Sequence, residues 1–312
     1  MATTTDSESS RLPSQGHTPT SLGILISGAK NTEQEVEILK WMTLNELHGV
    51  HAGDAIGIKQ GVSFKLGWFG VGLKGSRAIG ENDQGIEVRR INEHRATDNA
   101  PFLGTPLLVR ELANDISEEK RKNYRMRVVK KIGSKTYVMY FLRAIKFDMY
   151  KPTVKMGYRD PVTGNNKEDA YTPVESDLHP KPYVLVSTDS VPATDQYSTA
   201  TGTMNLTLEA EELDELRNAC AIVYGDASVA AINEIYLVHG IDMPVNDGVG
   251  PNGTAVRYNE LVPACVSYQV TENYSRDANT NNRMKLYFEY GNSVAYLTEL
   301  KSTDNATLTG NS

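Results

Sequence analysis

Between Tyr124 and Phe147 the sequence spells a β-hairpin. Tyr124–Lys131 and Thr136–Phe147 are rich in aromatic and β-branched residues, and Ile132-Gly133-Ser134 supplies a turn between them. The second arm, YVMYFLRAIKF, is the most strand-like stretch of the chain and reads as buried on both faces at its centre. A chain that must accommodate this hairpin needs other strands to cover it, and the sequence offers many. Leu22–Ile26 is a short apolar run. Residues 56–75 alternate apolar positions at Val62, Phe64, Leu66 and Trp68, and further strands are predicted around Ile86 and Val88 and at Thr105–Arg110. The later half adds Tyr183–Thr188, Thr203–Leu208, Ile232–Ile241, Ala255–Leu261, Cys265–Thr271, Met284–Tyr290 and Ser293–Leu297, joined by Gly/Asn-rich loops.

Helices are predicted in three places. Thr32 and Glu35 spell a capping box, and Val36, Leu39, Leu44 and Leu47 continue it as a rough stripe over 32–47, ended by Gly49. Asp115, with Glu118 three residues on, can cap a short helix through about Lys122. Residues 209–224 carry Glu209, Glu211 and Glu212 at the positive end of the helix dipole, with Leu213, Leu216, Ala219, Cys220 and Val223 on one face. The expected class is mainly β, two β-sandwich domains with a few short helices.

The 312 residues suffice for one large or two packed β domains. Residues 1–21 read as a polar N-terminal arm and 22–160 as a first sandwich. Residues 161–182, rich in Pro, acids and amides, read as a linker loop, 183–300 as a second sandwich and 301–312 as a tail. The two halves echo one another: FLRAIKFDM ends at Met149 and IYLVHGIDM at Met243. On that superposition Glu118 matches Glu212 and Ser134 matches Ser228.

The formal charge of −7 argues against nucleic acid as the main partner, which demands an excess of Lys and Arg. One basic cluster stands out: Lys120, Arg121, Lys122, Arg125, Arg127, Lys130 and Lys131, interleaved with Tyr124. It is the candidate assembly, nucleic-acid or lipid contact. On a hairpin, Arg125 and Arg127 are expected to form a solvated face or to pair with an acidic neighbour such as 209–215. Cys220 and Cys265 sit in apolar runs and outside any CxxC, and read as buried reduced thiols. Residues 1–21 lack a charged start and an apolar centre, so a chain made and used in the cytosol, or released by lysis, is expected.

The chemical motifs are weak. Gly70-Val-Gly-Leu-Lys-Gly75 matches G-x-G-x-x-G, but no helix is predicted after it, so its glycines read as a strand bulge or a close backbone approach. Asp277–Asn281 imitates the start of a calcium loop but lacks its Gly and closing Glu, leaving only a looser calcium site between subunits. His48 and His51 have metal-pair spacing without a third ligand. With neither a nucleophile elbow nor a P-loop, no enzyme, cofactor or metal is expected.

Two β-rich halves, a helix before a long apolar strand in 115–147 and again in 209–241, and polar arms at both ends make a layout. It resembles the double jelly-roll major capsid proteins of tailless, membrane-containing icosahedral phages. The resemblance implies two jelly rolls side by side, homotrimers building an icosahedral shell, and minor capsid proteins and an inner membrane as further partners. It implies a virion protein synthesised in the host cytoplasm. A phage tail-tube or other ring-forming tube protein, with β-sandwiches and a packed helix, is the alternative. A carbohydrate- or ligand-binding β module, with Trp41 or Trp68 stacking on sugar, is a further one.

Overall fold

A computed structural model describes residues 15–51, 56–58, 64–148, 150–159, 163, 165–179, 194–250, 253–277 and 283–295. At 56–58, 194–196, 247, 274–277, 288 and 292–295 it describes the backbone alone. The protein is mainly β, with antiparallel pairing wherever a register is defined. The strands are β1 (Gln15–Pro19), β2 (Val36–Ile38), β3 (Ile56–Ile58), β4 (Lys65–Gly72), β5 (Ser76–Glu81), β6 (Glu87–Ile91), β7 (Gly104–Thr105) and β8 (Leu108–Glu111). They continue with β9 (Tyr124–Ile132), β10 (Lys135–Ala144), β11 (Thr153–Arg159), β12 (Asn166–Ala170), β13 (Thr194–Leu208), β14 (Ala231–Val249), β15 (Ala255–Asp277) and β16 (Met284–Ala295). The helices are α1 (Ser21–Thr32), α2 (Leu44–His48), α3 (Glu118–Arg121) and α4 (Ala210–Tyr224).

The described residues fall into two compact units, one within 1–145 and 207–284 and the other within 146–206 and 285–312. This differs from the boundary expected at 161–182. The physical reason is strand pairing. β14, from the second half of the sequence, pairs with β4 from the first, from Glu234↔Gly72 to Gly240↔Lys65. The first unit carries an eight-stranded sheet of order β1-β15-β14-β4-β10-β8, with β7 on β4 and β9 on β10. The second carries a four-stranded sheet of order β12-β11-β13-β16. Part of the expected linker is therefore sheet: β12 pairs with β11 across Lys155↔Ala170 to Arg159↔Asn166.

The predicted hairpin is present as β9 and β10, paired from Ile132↔Lys135 to Tyr124↔Arg143, with Gly133 turning at φ +60°. Val138, Tyr140 and Leu142 of β10 are fully buried. α4 forms where its stripe predicts, capped by Glu209 and ended by Gly225 in the left-handed region. Its buried Leu213 and Leu216 contribute roughly 1.5–3 kcal/mol each by leaving water.

Three early elements differ from expectation, the first being Gln15–Pro19 of the expected polar arm, which is strand β1 and pairs with β15 from Gln15↔Glu272 to Pro19↔Tyr268. Leu22–Ile26 belongs to helix α1, not to a strand. Thr20 caps it by accepting the Gly23 amide at 2.9 Å, and Leu22 and Ile26, one turn apart, are its buried pair. Gly23 lets the helix lie on β15, since a Cβ there would sit 2.4 Å from the Ser267 carbonyl oxygen. The helix expected over 32–47 shrinks to α2. Val36–Ile38 is extended and pairs with β3, and the cap that operates is the second T-x-x-E, in which the Thr43 hydroxyl accepts the Glu46 amide at 3.3 Å. Gly49 ends α2 at φ +64°, as its position suggests.

β14 also carries a titration device. Burial pushes the His239 imidazole down to about 4, with Lys30 adding to the shift, and burial does the same to His48. The unfolded chain takes up these protons near 6.5, so it binds more protons than the folded chain between about 6.5 and 4. Stability is therefore full above that window and falls as pH drops through it. For His239 alone the loss is on the order of 2–3 kcal/mol. Urea midpoints at pH 7 and 4.5 for the wild type and His239→Gln check this. The variant should show a flatter pH dependence, and an equal slope in both would refute it.

Candidate functional site

The basic cluster of the sequence divides in the structure. Arg125 is buried, and its guanidinium forms a fork on Asp242, with Nε donating to Oδ1 at 2.6 Å and Nη2 to Oδ2 at 2.9 Å. Its Nη1 donates to the carbonyls of Arg121, Lys122 and Tyr124, and the cation lies 4.4 Å from the Trp68 ring centroid. Arg127 is buried as well. It donates to Asp115 Oδ2 at 2.9 Å and to the Val249 carbonyl at 2.8 Å, and lies 5.3 Å from the Tyr258 ring centroid. The expectation of a solvated face fails for these two because two carboxylates and two aromatic rings compensate their burial. The acidic neighbour expected at 209–215 does pair, but with other cations: Glu215 takes Arg110 and Lys120, and Glu212 takes Arg143. Arg121 donates to the Ile116 carbonyl at 2.8 Å, while Lys122 reaches Glu119 at 2.7 Å on the surface. Lys130 and Lys131 are exposed at the hairpin end.

A fully buried carboxylate anchors this region. Between the pairs Tyr140↔Arg127 and Leu142↔Arg125 the β9 backbone turns at Met126 to φ +57°. The Met126 and Arg127 amides then point at Glu260 of β15, donating at 2.7 and 2.9 Å, and the Leu261 amide adds a third bond at 2.8 Å. Burial pushes the Glu260 carboxyl up, against the three amides and Arg125, which pull it down. Beside it a recess of about 310 Å³ is lined by Glu118, Arg121, Lys122, Arg125, Arg257, Tyr258 and Asn259.

The second polar knot holds the segment before β7. Glu234 of β14 is fully buried and accepts the Phe102 amide at 2.8 Å, and it lies 2.8 Å from His94 Nε2. The other ring nitrogen of His94 faces Asp98 at 3.4 Å, and its ring stacks on Phe102 at 3.9 Å. Asp98 in turn accepts the Arg95 amide at 2.9 Å, and Gln269 holds the Asp98 carbonyl at 3.1 Å. This hydrogen-bonded segment and α2 wall an open groove of about 580 Å³. Trp41, Leu47 and Phe102 stand around it at 67%, 57% and 42% exposure, with Glu46 and Asp98 as its charges. Apolar surface of these three side chains is thus exposed around one open groove. Trp68, the other tryptophan, is buried in the core.

The remaining motifs have structural roles. Gly70 lies in β4, where a Cβ would meet the Tyr236 ring at 2.2 Å, and Gly75 leads into strand β5 with its amide on Asn233 Oδ1 at 2.6 Å. Close backbone approach is what these glycines permit. His48 packs on Phe141 at 4.2 Å and His51 lies 3.2 Å from the Tyr258 hydroxyl. Both cysteines are buried free thiols, and burial pushes Cys220 up to about 11 and Cys265 up to about 12. The rest of the Asp277–Asn281 loop lies outside the described residues. Among the described residues no group of His, Cys, Asp and Glu is arranged to hold a metal ion, and no helix is long and apolar enough to cross a membrane.

The groove and the buried carboxylates were not singled out from the sequence, although one signal was available. Glu234, with Asn233, interrupts the strand from Ile232 to Val238, and Glu260 precedes the run Leu261–Val266. A charge inside a strand that is otherwise core is there to be bonded. No curated protein and no solved structure matches the chain. The profile of one family, described as a family of unknown function (DUF7208), matches residues 6–305, and the chain belongs to that family.

Proposed function

We propose that the chain is a structural subunit that assembles with copies of itself, as virion shells and tubes do. The observation that carries this reading is the groove: Trp41, Leu47 and Phe102 hold apolar surface in water at one site. The internal charges support it too, since Arg125, Arg127 and Glu260 are spent on holding strands together rather than aimed at a reacting group.

Between the two assemblies, the geometry favours a ring-forming tube subunit over a trimeric shell subunit. The shell reading draws on two like halves, each with a helix before a long strand. The helix before β9 has four residues and the one before β14 has 15, and the largest sheets of the two units have eight and four strands. One main sheet with α4 packed beside β8, where Asn218 reaches the Val109 carbonyl at 3.5 Å, suits the tube reading better. Light scattering on the size-exclusion peak, with negative-stain images, tests it. Rings with a central hole are the expected result. Trimers with a near-hexagonal outline would restore the major capsid reading, and a monomer at every concentration would overturn both.

A further inference from the structure

We propose that α2 is a latch that acid releases: when His48 takes up a proton, the helix leaves β10 and β15 and one wall of the groove comes apart. The latch rests on the fold alone, and its consequence for assembly rests on the self-assembly reading. α2 has five residues, too few to persist without contacts from the sheet. Three of its side chains tie it down. Asn45 donates from Nδ2 to the Leu261 carbonyl at 3.0 Å and accepts the Ala264 amide on Oδ1 at 2.7 Å, both on β15. Leu44 is fully buried in the cluster that holds Met126, Phe141 and Leu261. The His48 ring lies on Phe141 of β10, with centroids 4.2 Å apart.

His48 is the weak point of the three. Its Nε2 is buried and, among the described residues, has no hydrogen-bond partner. A neutral ring tolerates that position, but an imidazolium there is a buried charge with neither water nor a carboxylate to receive it. Burial is the one cause acting on the ring, with no charge from β9, β10 or β15 offsetting it among the described residues, and it holds the group down to about 4. On a released α2 the ring meets water and titrates near the ordinary 6.5. The released form therefore binds more protons between about 6.5 and 4, and acid favours release through that window. Two other buried histidines differ. His239, whose Nδ1 lies 2.8 Å from the Ser267 hydroxyl, sits in β14 between β4 and β15, so charging it means opening the sheet. His94, on the opposite wall, faces Glu234 and Asp98, two carboxylates placed to receive a cation. Acid thus acts on the α2 wall first.

Hydrogen exchange on the full chain at pH 7 and 5, with each rate divided by its intrinsic rate at that pH, tests the latch. The Leu47, Gly49 and Val50 amides donate to the carbonyls of Thr43, Glu46 and Asn45. Their protection should fall at least about tenfold, while the Val138, Tyr140 and Leu142 amides of β10 keep theirs. His48→Phe sets an aromatic ring on Phe141 with no atom to protonate, and should keep α2 equally protected at both pH values. An equal fall in the wild type and His48→Phe would assign the opening to another group and overturn the proposal. Should the variant fold poorly, the imidazole resonances of the wild type decide. A His48 ring that charges near 6.5 with α2 still protected refutes the latch, and one that charges only as α2 loses protection supports it. Light scattering reads the consequence: a wild type that assembles at pH 7 should dissociate at pH 5, and His48→Phe should stay assembled. If the wild type never assembles, the self-assembly reading fails and the exchange result still judges the latch. Release of α2 without dissociation would overturn the link to assembly alone.

Discussion

Glu260→Ala is expected to destabilise the first unit by about 3–5 kcal/mol. Glu260 is fully buried and accepts three backbone amides, those of Met126, Arg127 and Leu261. Alanine leaves all three without an acceptor in a place water does not reach, and each orphaned donor costs about 1–3 kcal/mol. The loss also falls on a backbone that needs support. Met126 sits at φ +57°, a region that a side chain with a Cβ seldom occupies, and the carboxylate is what receives the amides that this turn frees. Urea unfolding should show the loss as a lowered midpoint, and hydrogen exchange should show it first at the Met126 and Arg127 amides. Glu260→Gln keeps an acceptor oxygen and should recover part of the loss. A Glu260→Ala midpoint within about 1 kcal/mol of the wild type would remove Glu260 as the anchor of β9 on β15.

Glu234→Ala is expected to cost about 2–4 kcal/mol and to loosen one wall of the groove. Glu234 binds the His94 ring and the Phe102 amide from one buried position on β14, and so fixes both ends of the segment that carries Asp98. Without it the His94 ring loses a buried partner and the Phe102 amide loses its acceptor. The effect should be more local than that of Glu260. Exchange should rise over 94–103 before it rises in β14, and a self-assembling wild type should lose affinity in the variant. Unchanged protection over 94–103 would show that the stacking of His94 on Phe102 and the Gln269 bonds hold the wall without the carboxylate.

How much was legible depended on how far apart the cooperating residues lie. The β9–β10 hairpin and α4 are local: turn residue, period and caps all fall within about 25 residues, and both form where predicted. The first helix was not legible, because Leu22–Ile26 is too short to separate the two periods, and its helical state depends on contact with β15 more than 200 residues away. Over 32–47 two capping signals compete. The second prevails because Ile38 goes into a cluster with Leu22, Ile26, Phe64 and Cys265, which requires an extended Val36–Ile38. The basic cluster was visible as charge, but its role was not. Asp115 and Asp242, which hold the Arg127 and Arg125 guanidinium groups inward, lie more than 120 positions apart.

The sequence by itself determined the mainly β class, the central hairpin, the helix after Glu209, the buried thiols and the use of Gly70 and Gly75 for close backbone approach. Each of these follows from residues near one another along the chain, where sterics and period act directly. Only the tertiary structure decided which strands share a sheet, where the units divide, which cations are buried, and that Trp41, Leu47 and Phe102 meet around one groove. Those outcomes depend on long-range pairing. A buried carboxylate such as Glu234 or Glu260 is tolerated only when distant amides and rings arrive to satisfy it, and spacing along the sequence does not encode that arrival.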